Sequence, residues 1–305
     1  MKNWKDNLLS KGFLIADGAW GTEMMKRGLS SGECAELWNL SRPDDVRAIA
    51  RAYREAGANI ILTNTFGANP IKLKRAGILH LVGEINRRGV ELSREVAGDS
   101  LVFASIGPTG EFMRPLGTLT EDEMIACFAE QVRAFVEGGA DGVIIETMSD
   151  LNEAKCAVKA VKENSALTIA VSMTFSRTKA GFATMMGITP EQAAVELEKT
   201  GADIVGSNCG SGIEDIIEVI RIMRSATSLP LWAKPNAGVP QLEEGRPVYK
   251  QSPEEMASFV PELIKAGANI IGGCCGTTPQ HIKLIVEKSR SCADIARRHL
   301  THLKL

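Results

Sequence analysis

The sequence predicts an α/β fold, a (β/α)8 barrel of the TIM type spanning residues 1–305 as one domain, and three observations predict it. One αβ joint recurs four times, in Ala56–Ile61, Gly138–Val143, Thr200–Val205 and Ala266–Ile271. Each reads as a helix stop at glycine, a tight turn and a buried strand. The intervals between the joints have room for one further strand and helix each, which brings the count to eight βα units. The links are also unequal. The αβ joints are a few residues long, whereas the βα links at 18–41, 107–119, 176–190 and 236–252 are long and rich in Gly, Pro, Thr and charge. An open doubly wound sheet is the main alternative.

In chain order, the strands are read at Phe13–Ala16, Ile60–Ile61, Leu101–Ala104, Gly142–Val143, Leu167–Val171, Ile204–Val205, Leu229–Ala233 and Ile270–Ile271. Helices with apolar residues at three- and four-residue spacing are predicted over 44–56, 71–97, 121–137, 151–163, 191–199, 213–223, 253–265 and 280–288. Ser252-Pro253 and Thr278-Pro279 mark two of their starts, a capping hydroxyl followed by proline. Residues 289–305 form a terminal helix or tail.

Charge is nearly balanced, 35 Lys+Arg against 37 Asp+Glu, so no global field points to nucleic acid or to an anionic membrane. A small-molecule partner becomes the default. The apolar run Phe13–Ala16 stops at Asp17, and no stretch approaches the ~18 apolar residues of a membrane span. Seven cysteines, an odd number, with no secretory signal argue against a disulfide framework and for a cytoplasmic protein.

In a barrel all βα links share the C-terminal face, where active sites are built, so residues at strand ends are the candidates. They are Asp17, Thr63-Asn64-Thr65, Ser105, Glu146, Met173-Thr174, Cys209, Asn236 and Cys274-Cys275. Cys209 ends the sixth strand and Cys274-Cys275 the eighth, about 10 Å apart across the rim. Side chains leaning inward from such positions can meet on one zinc ion through bonds of about 2.3 Å. Adjacent residues of a regular strand point to opposite faces, so Cys274 and Cys275 can share a metal only where the backbone leaves extended geometry; Gly272, Gly273 and Gly276 are expected to permit this. Three thiolates leave one tetrahedral position open, and their charge makes the centre a poor Lewis acid but a good host for a soft ligand. A substrate thiol there would become a thiolate nucleophile. His80, His281, His299 and His302 all fall outside the predicted strand ends.

Gly272-Gly273-Cys274-Cys275-Gly276-Thr277-Thr278-Pro279 with Asn208-Cys209-Gly210 resembles the homocysteine S-methyltransferase family. Asp17–Thr22, Thr63–Asn69, Glu146-Thr147 and Lys234–Gly238 extend the resemblance over almost the whole chain. The resemblance implies a (β/α)8 barrel that transfers a methyl group to the thiol of L-homocysteine to give methionine. It implies Cys209, Cys274 and Cys275 as zinc ligands, Asp17, Ser105 and Glu146 as holders of the substrate's amino and carboxylate ends, and Asn236 beside the metal. The segments 63–69 and 234–238 most resemble the homocysteine-binding module of cobalamin-dependent methionine synthases. No Asp-x-His-x-x-Gly cobalamin motif occurs, so a methylated corrinoid such as methylcobalamin would reach this site on a separate chain or a missing domain. S-methylmethionine, S-adenosylmethionine and betaine are the alternative donors. Betaine ranks below the corrinoid, because aromatics are 5% and threonine follows Glu146.

Other readings are plainer. Cys34, Cys127, Cys156 and Cys292 lack ligand spacing and are expected as buried small hydrophobes. Gly210-Ser211-Gly212 reads as a helix cap and ligand loop rather than a phosphate cradle, and Met185-Met186 as a packed loop before a lid. A non-catalytic zinc barrel and a carbonyl-chemistry barrel with redox cysteines are the readings from other classes.

Overall fold

The computed structural model describes residues 4–210, 212–243, 246–292, 297, 300, 303 and 304. Eight parallel strands form one sheet: β1 Leu14–Ile15, β2 Ile60–Leu62, β3 Leu101–Ile106, β4 Gly142–Met148, β5 Thr168–Met173, β6 Ile204–Cys209, β7 Leu231–Pro235 and β8 Ala268–Ile271. Neighbours in sequence are neighbours in the sheet, and β1 also pairs with β8 through Leu14–Ile270 and Ile15–Ile271. A parallel bridge from Ala16 to Ile60 joins β1 to β2 and closes the barrel. The open-sheet alternative is thereby excluded.

Burial separates two apolar layers. Leu14, Ala16, Ile60, Leu62, Leu101, Phe103, Ile144, Ala170, Ile204, Trp232 and Ile270 fill the barrel interior. The residues between them, such as Ile15, Ile61, Val102, Val143 and Val171, join the larger cluster under the surrounding helices. This is the period-two alternation of strands whose two faces are both covered. Phe103 and Trp232 stack inside the barrel with centroids 6.2 Å apart, and glycines face them: a Cβ on Gly142 would lie 2.7 Å from the Phe103 ring, and one on Gly206 only 1.9 Å from the Trp232 carbonyl. The helix Trp4–Lys11 presents Trp4 and Leu8 to this interior cluster, where Leu300 and Leu303 also pack. Of the tail expected over 289–305, Ser289 and Arg290 belong to the end of the helix Pro279–Arg290, and most of 293–305 lies outside the described residues.

Two predicted helices are divided. The span 71–97 becomes a helix Pro70–Arg75, a 3-10 turn Leu79–Leu81 and a helix Val82–Ala97, with Gly77 at φ 74° making the break. The span 253–265 divides at Phe259 because Pro261 has no N–H to offer the carbonyl four residues back. The caps at Ser252 and Thr278 form as expected, each as a capping box. Two β-hairpins lie unanticipated in the βα links, Ser176–Thr178 with Gly181–Ala183 after β5, and Gln241–Glu243 with Arg246–Val248 after β7. Among the described residues, no helix is long and apolar enough to cross a membrane.

Candidate active site and metal centre

Following the strands β3 to β7 past their last interior apolar side chain leads to a polar layer. Phe103 leads to Ser105, Ile144 to Glu146, Ala170 to Ser172 and Trp232 to Lys234, while Ile204 leads through Gly206 to Asn208; all five polar residues are buried. Ser105, Glu146 and Lys234 of this layer floor a cavity of about 260 Å3 at the C-terminal mouth, which all three cysteines and the link after β1 also line. That is below the roughly 300–1,000 Å3 of sites for drug-sized ligands and suits a molecule the size of an amino acid.

The sulfurs meet at the rim. The Sγ atoms of Cys209, Cys274 and Cys275 all lie within 4.8 Å of one another, and those of Cys209 and Cys275 are 3.8 Å apart. Two bonds of about 2.3 Å at the tetrahedral angle place sulfurs about 3.8 Å apart, so the donor set fits zinc. Strand parity would send Cys209 to the face opposite Asn208. Its backbone is instead left-handed, φ 63°, which turns the sulfur back over the cavity. On the other side β8 ends at Ile271, and the chain turns through Cys275 and Gly276, with Gly276 at φ 80°. Gly272 and Gly273 serve otherwise than expected: neither has a positive φ, and each makes room. A Cβ on Gly272 would lie 2.7 Å from the Asp17 carbonyl, and one on Gly273 2.4 Å from Thr277 Oγ1.

Crowding governs the thiols. Hydrogen bonds from Cys209 and Cys274 hold Cys275 down to about 3, whereas Cys209 is pushed far up by its bonds to the other two sulfurs and by burial. The trio thus releases one proton easily and the rest only against a neighbouring thiolate, which a divalent cation would offset.

Glu146 accepts the Ser105 hydroxyl at 2.6 Å. Burial pushes its carboxyl up to about 7, against the pull of the Lys234 ammonium. Ser105 is itself held by Thr63, which accepts its N–H at 3.1 Å, and by Thr65, which donates to its carbonyl at 2.7 Å. Thr63 and Thr65 therefore brace Ser105, whereas Asn64 donates to the Ala35 carbonyl and Asn39 Oδ1, and Thr63 and Asn64 also line the cavity.

Asp17 and Asn236 do not line the cavity. Asp17 sits below it, with Oδ1 accepting from Lys234 Nζ at 2.8 Å and Oδ2 from Trp20 Nε1 and the Leu62 N–H, both at 2.8 Å. Asn236 Nδ2 donates to the Gly210 carbonyl at 2.9 Å, pinning the turn after Cys209, and its buried Oδ1 has no partner among the described residues. Gly210-Ser211-Gly212 is described only in part, as Ser211 lies outside the described residues. Cys127, Cys156 and Cys292 are buried and do not belong to the three-sulfur cluster; Cys34 is half-buried against Glu36.

Lys234 and Asn208 are the residues that strand-end reasoning passed over. Burial lowers Lys234, but the carboxylates of Asp17 and Glu146 more than restore it and hold its ammonium above the usual range. The signal for both was present as parity, two residues beyond Trp232 and four beyond Ile204.

Comparison with known proteins agrees with this geometry. A family profile described as homocysteine S-methyltransferase matches residues 14–289. Methionine synthase of Mycobacterium leprae (strain TN) is 30% identical over 317 residues, covering 96% of this chain and 26% of that protein. Methionine synthase of Mycobacterium tuberculosis (strain ATCC 25618 / H37Rv) is also 30% identical, over 95% of this chain and 25% of its own length. The chain thus spans about a quarter of these relatives. Among solved structures, the metallated form of the homocysteine methyltransferase MmuM from Escherichia coli superposes with a TM-score of 0.78 at 25% identity, covering 94% of this chain and 100% of that one.

Proposed function

The chain belongs to the homocysteine S-methyltransferase family, and from that premise we propose that it methylates the thiol of L-homocysteine on a zinc site formed by Cys209, Cys274 and Cys275. The observation that carries this reading is the three-sulfur cluster, with 3.8 Å between Cys209 and Cys275, on the same small cavity as Glu146 and Lys234. The chemistry zinc supplies when bound is a lower proton affinity for a thiol, so that a thiolate persists near neutral pH.

The side chains divide the zwitterion between them. The Ser105 hydroxyl proton is committed to Glu146, which leaves both oxygens as acceptors for the substrate ammonium. Lys234 gives one N–H to Asp17 and keeps two for the substrate carboxylate. Asp17 acts through Lys234 by holding it in place, and Asn236 steadies Cys209 through Gly210. Held at both ends, the substrate directs its sulfur toward the rim, where the thiol, its proton lost to solvent, forms the S–CH3 bond with a sulfur lone pair as the carbon–donor bond breaks and its pair leaves with the donor.

For the donor we propose a methylated corrinoid carried by a separate chain or by a domain beyond this one, with residues 1–305 forming one barrel domain that works in the cytoplasm. Exposed apolar side chains on the βα links support a large donor: Leu116 after β3, Met185 after β5, and Val239 and Leu242 after β7 are 61–81% exposed. MmuM, a homocysteine methyltransferase that this barrel covers over its full length, favours a second reading, a small donor that needs no further domain to carry it. Parallel assays of methyl transfer to homocysteine from methylcobalamin, S-methylmethionine and betaine decide between them. Transfer from betaine alone would overturn the ranking, and a metal-free protein with full activity would overturn the zinc reading.

A further inference from the structure

Asn208 occupies a position that the homocysteine and zinc readings leave without a role. Its side chain is fully buried, one residue before Cys209, and it joins three strands. Oδ1 accepts the Thr147 N–H at 2.9 Å and the Ser172 hydroxyl at 2.8 Å; Nδ2 donates to Thr147 Oγ1 at 2.8 Å and to Cys274 Sγ at 3.6 Å. The orientation of the amide follows from this set. A backbone N–H can only donate, so the group facing Thr147 N must be the oxygen, and the NH2 is thereby aimed at the sulfur.

Both ends of this bridge lie at departures from regular strand. Thr147 has φ 63°, a conformation that a β-branched residue rarely adopts, within the register shift of β4 between Ile145 and Met148. That kink immediately follows Glu146. One amide therefore spans from the backbone that carries the carboxylate of the cavity floor to the sulfur of the metal cluster. Groups that hydrogen-bond to metal ligands orient them and tune their donor strength, and their loss typically lowers metal affinity 10- to 100-fold.

We propose that Asn208 is a positioning residue that aims the Cys274 sulfur, through an N–H···S hydrogen bond, while locking the Glu146–Thr147 kink beside it. The inference rests on the zinc reading above. Removing the donor changes the electron density at one ligand of three, so it registers in the metal's own spectrum.

Asn208→Asp retains an oxygen for Thr147 N and Ser172 and removes the N–H aimed at sulfur; Asn208→Ser removes the donor in a smaller side chain. Ser172→Ala loosens the same amide without touching the sulfur. Each variant and the wild type are loaded with Co2+, the sulfur-to-cobalt charge-transfer bands recorded, and zinc affinity measured by chelator competition. Asn208→Asp or Asn208→Ser, whichever folds by circular dichroism, is expected to shift the bands and lose 10- to 100-fold in zinc affinity, with Ser172→Ala close to wild type in both. Wild-type bands and affinity in the Asn208 variants, or an equal change in Ser172→Ala, overturn the inference and leave the zinc reading standing. A wild type that takes up no cobalt overturns both.

Discussion

Lys234 Nζ lies 2.8 Å from Asp17 Oδ1, with 2% and 0% of the two side chains exposed. An ion pair so buried is a weak source of net stability, but removing one partner strands the other charge at a cost of about 3–5 kcal/mol. Lys234→Met and Asp17→Asn are each expected to destabilise by about that much, and the double variant by clearly less than the sum. Urea denaturation of the four proteins closes the cycle. Strictly additive losses would show that the pair is not coupled, and that Asp17 does not act through Lys234.

At Cys209 the left-handed backbone, φ 63°, stores strain of about 1–3 kcal/mol in any residue with a Cβ. Cys209→Gly and Cys209→Ala both remove the sulfur, and only the first removes the Cβ. The glycine variant is expected to be the more stable by about 1 kcal/mol in metal-free protein, and neither is expected to hold zinc. Equal melting curves would place the strain elsewhere.

That strain marks the limit of what was legible in the sequence. Eight strands, their order and the three sulfurs could be read because they depend on repeat, parity and spacing, all of which are properties of the linear pattern. The turn that brings Cys209 to the same side as Cys274 could not, because nothing in Asn208-Cys209-Gly210 specifies a positive φ for a cysteine. The family resemblance implies Asp17 as a holder of substrate, and the ion pair it makes is not written in the linear pattern. Its partner Lys234 is 217 residues away, and only the closed barrel brings them together. Lys234 and Asn208 were within reach of parity reasoning, which extends the interior stripe one step up in β7, from Trp232 to Lys234, and two in β6, from Ile204 through Gly206 to Asn208.

Glu146 adds a pH dependence with a definite sign. Its folded carboxyl sits at about 7 against an ordinary 4.5, so the unfolded chain loses this proton first as pH rises. The stability that this group contributes is complete below 4.5 and is lost between 4.5 and about 7. Glu146→Gln does not titrate. Relative to wild type, the variant is expected to gain on the order of 1–3 kcal/mol between pH 4.5 and 8, while its KM for homocysteine rises at least tenfold. Denaturation at pH 5 and pH 8 measures the first and steady-state kinetics the second. A stability difference that is the same at both pH values would refute the assignment.

Metal addition tests the sulfur cluster without reference to turnover. A ligand that binds only the folded state at 100 times its Kd stabilises that state by about 2.7 kcal/mol, so zinc is expected to raise the melting temperature of chelator-stripped wild type by several degrees. Cys275→Ser removes the sulfur 3.8 Å from Cys209 and should abolish most of that gain. Homocysteine then separates a catalytic centre from a closed structural one. With an open fourth position, it adds a second increment in zinc-loaded wild type and a much smaller one in stripped protein, because its sulfur has no partner there. An increment independent of zinc would mean that Glu146 and Lys234 bind the amino acid alone, and that the thiol does not reach the metal.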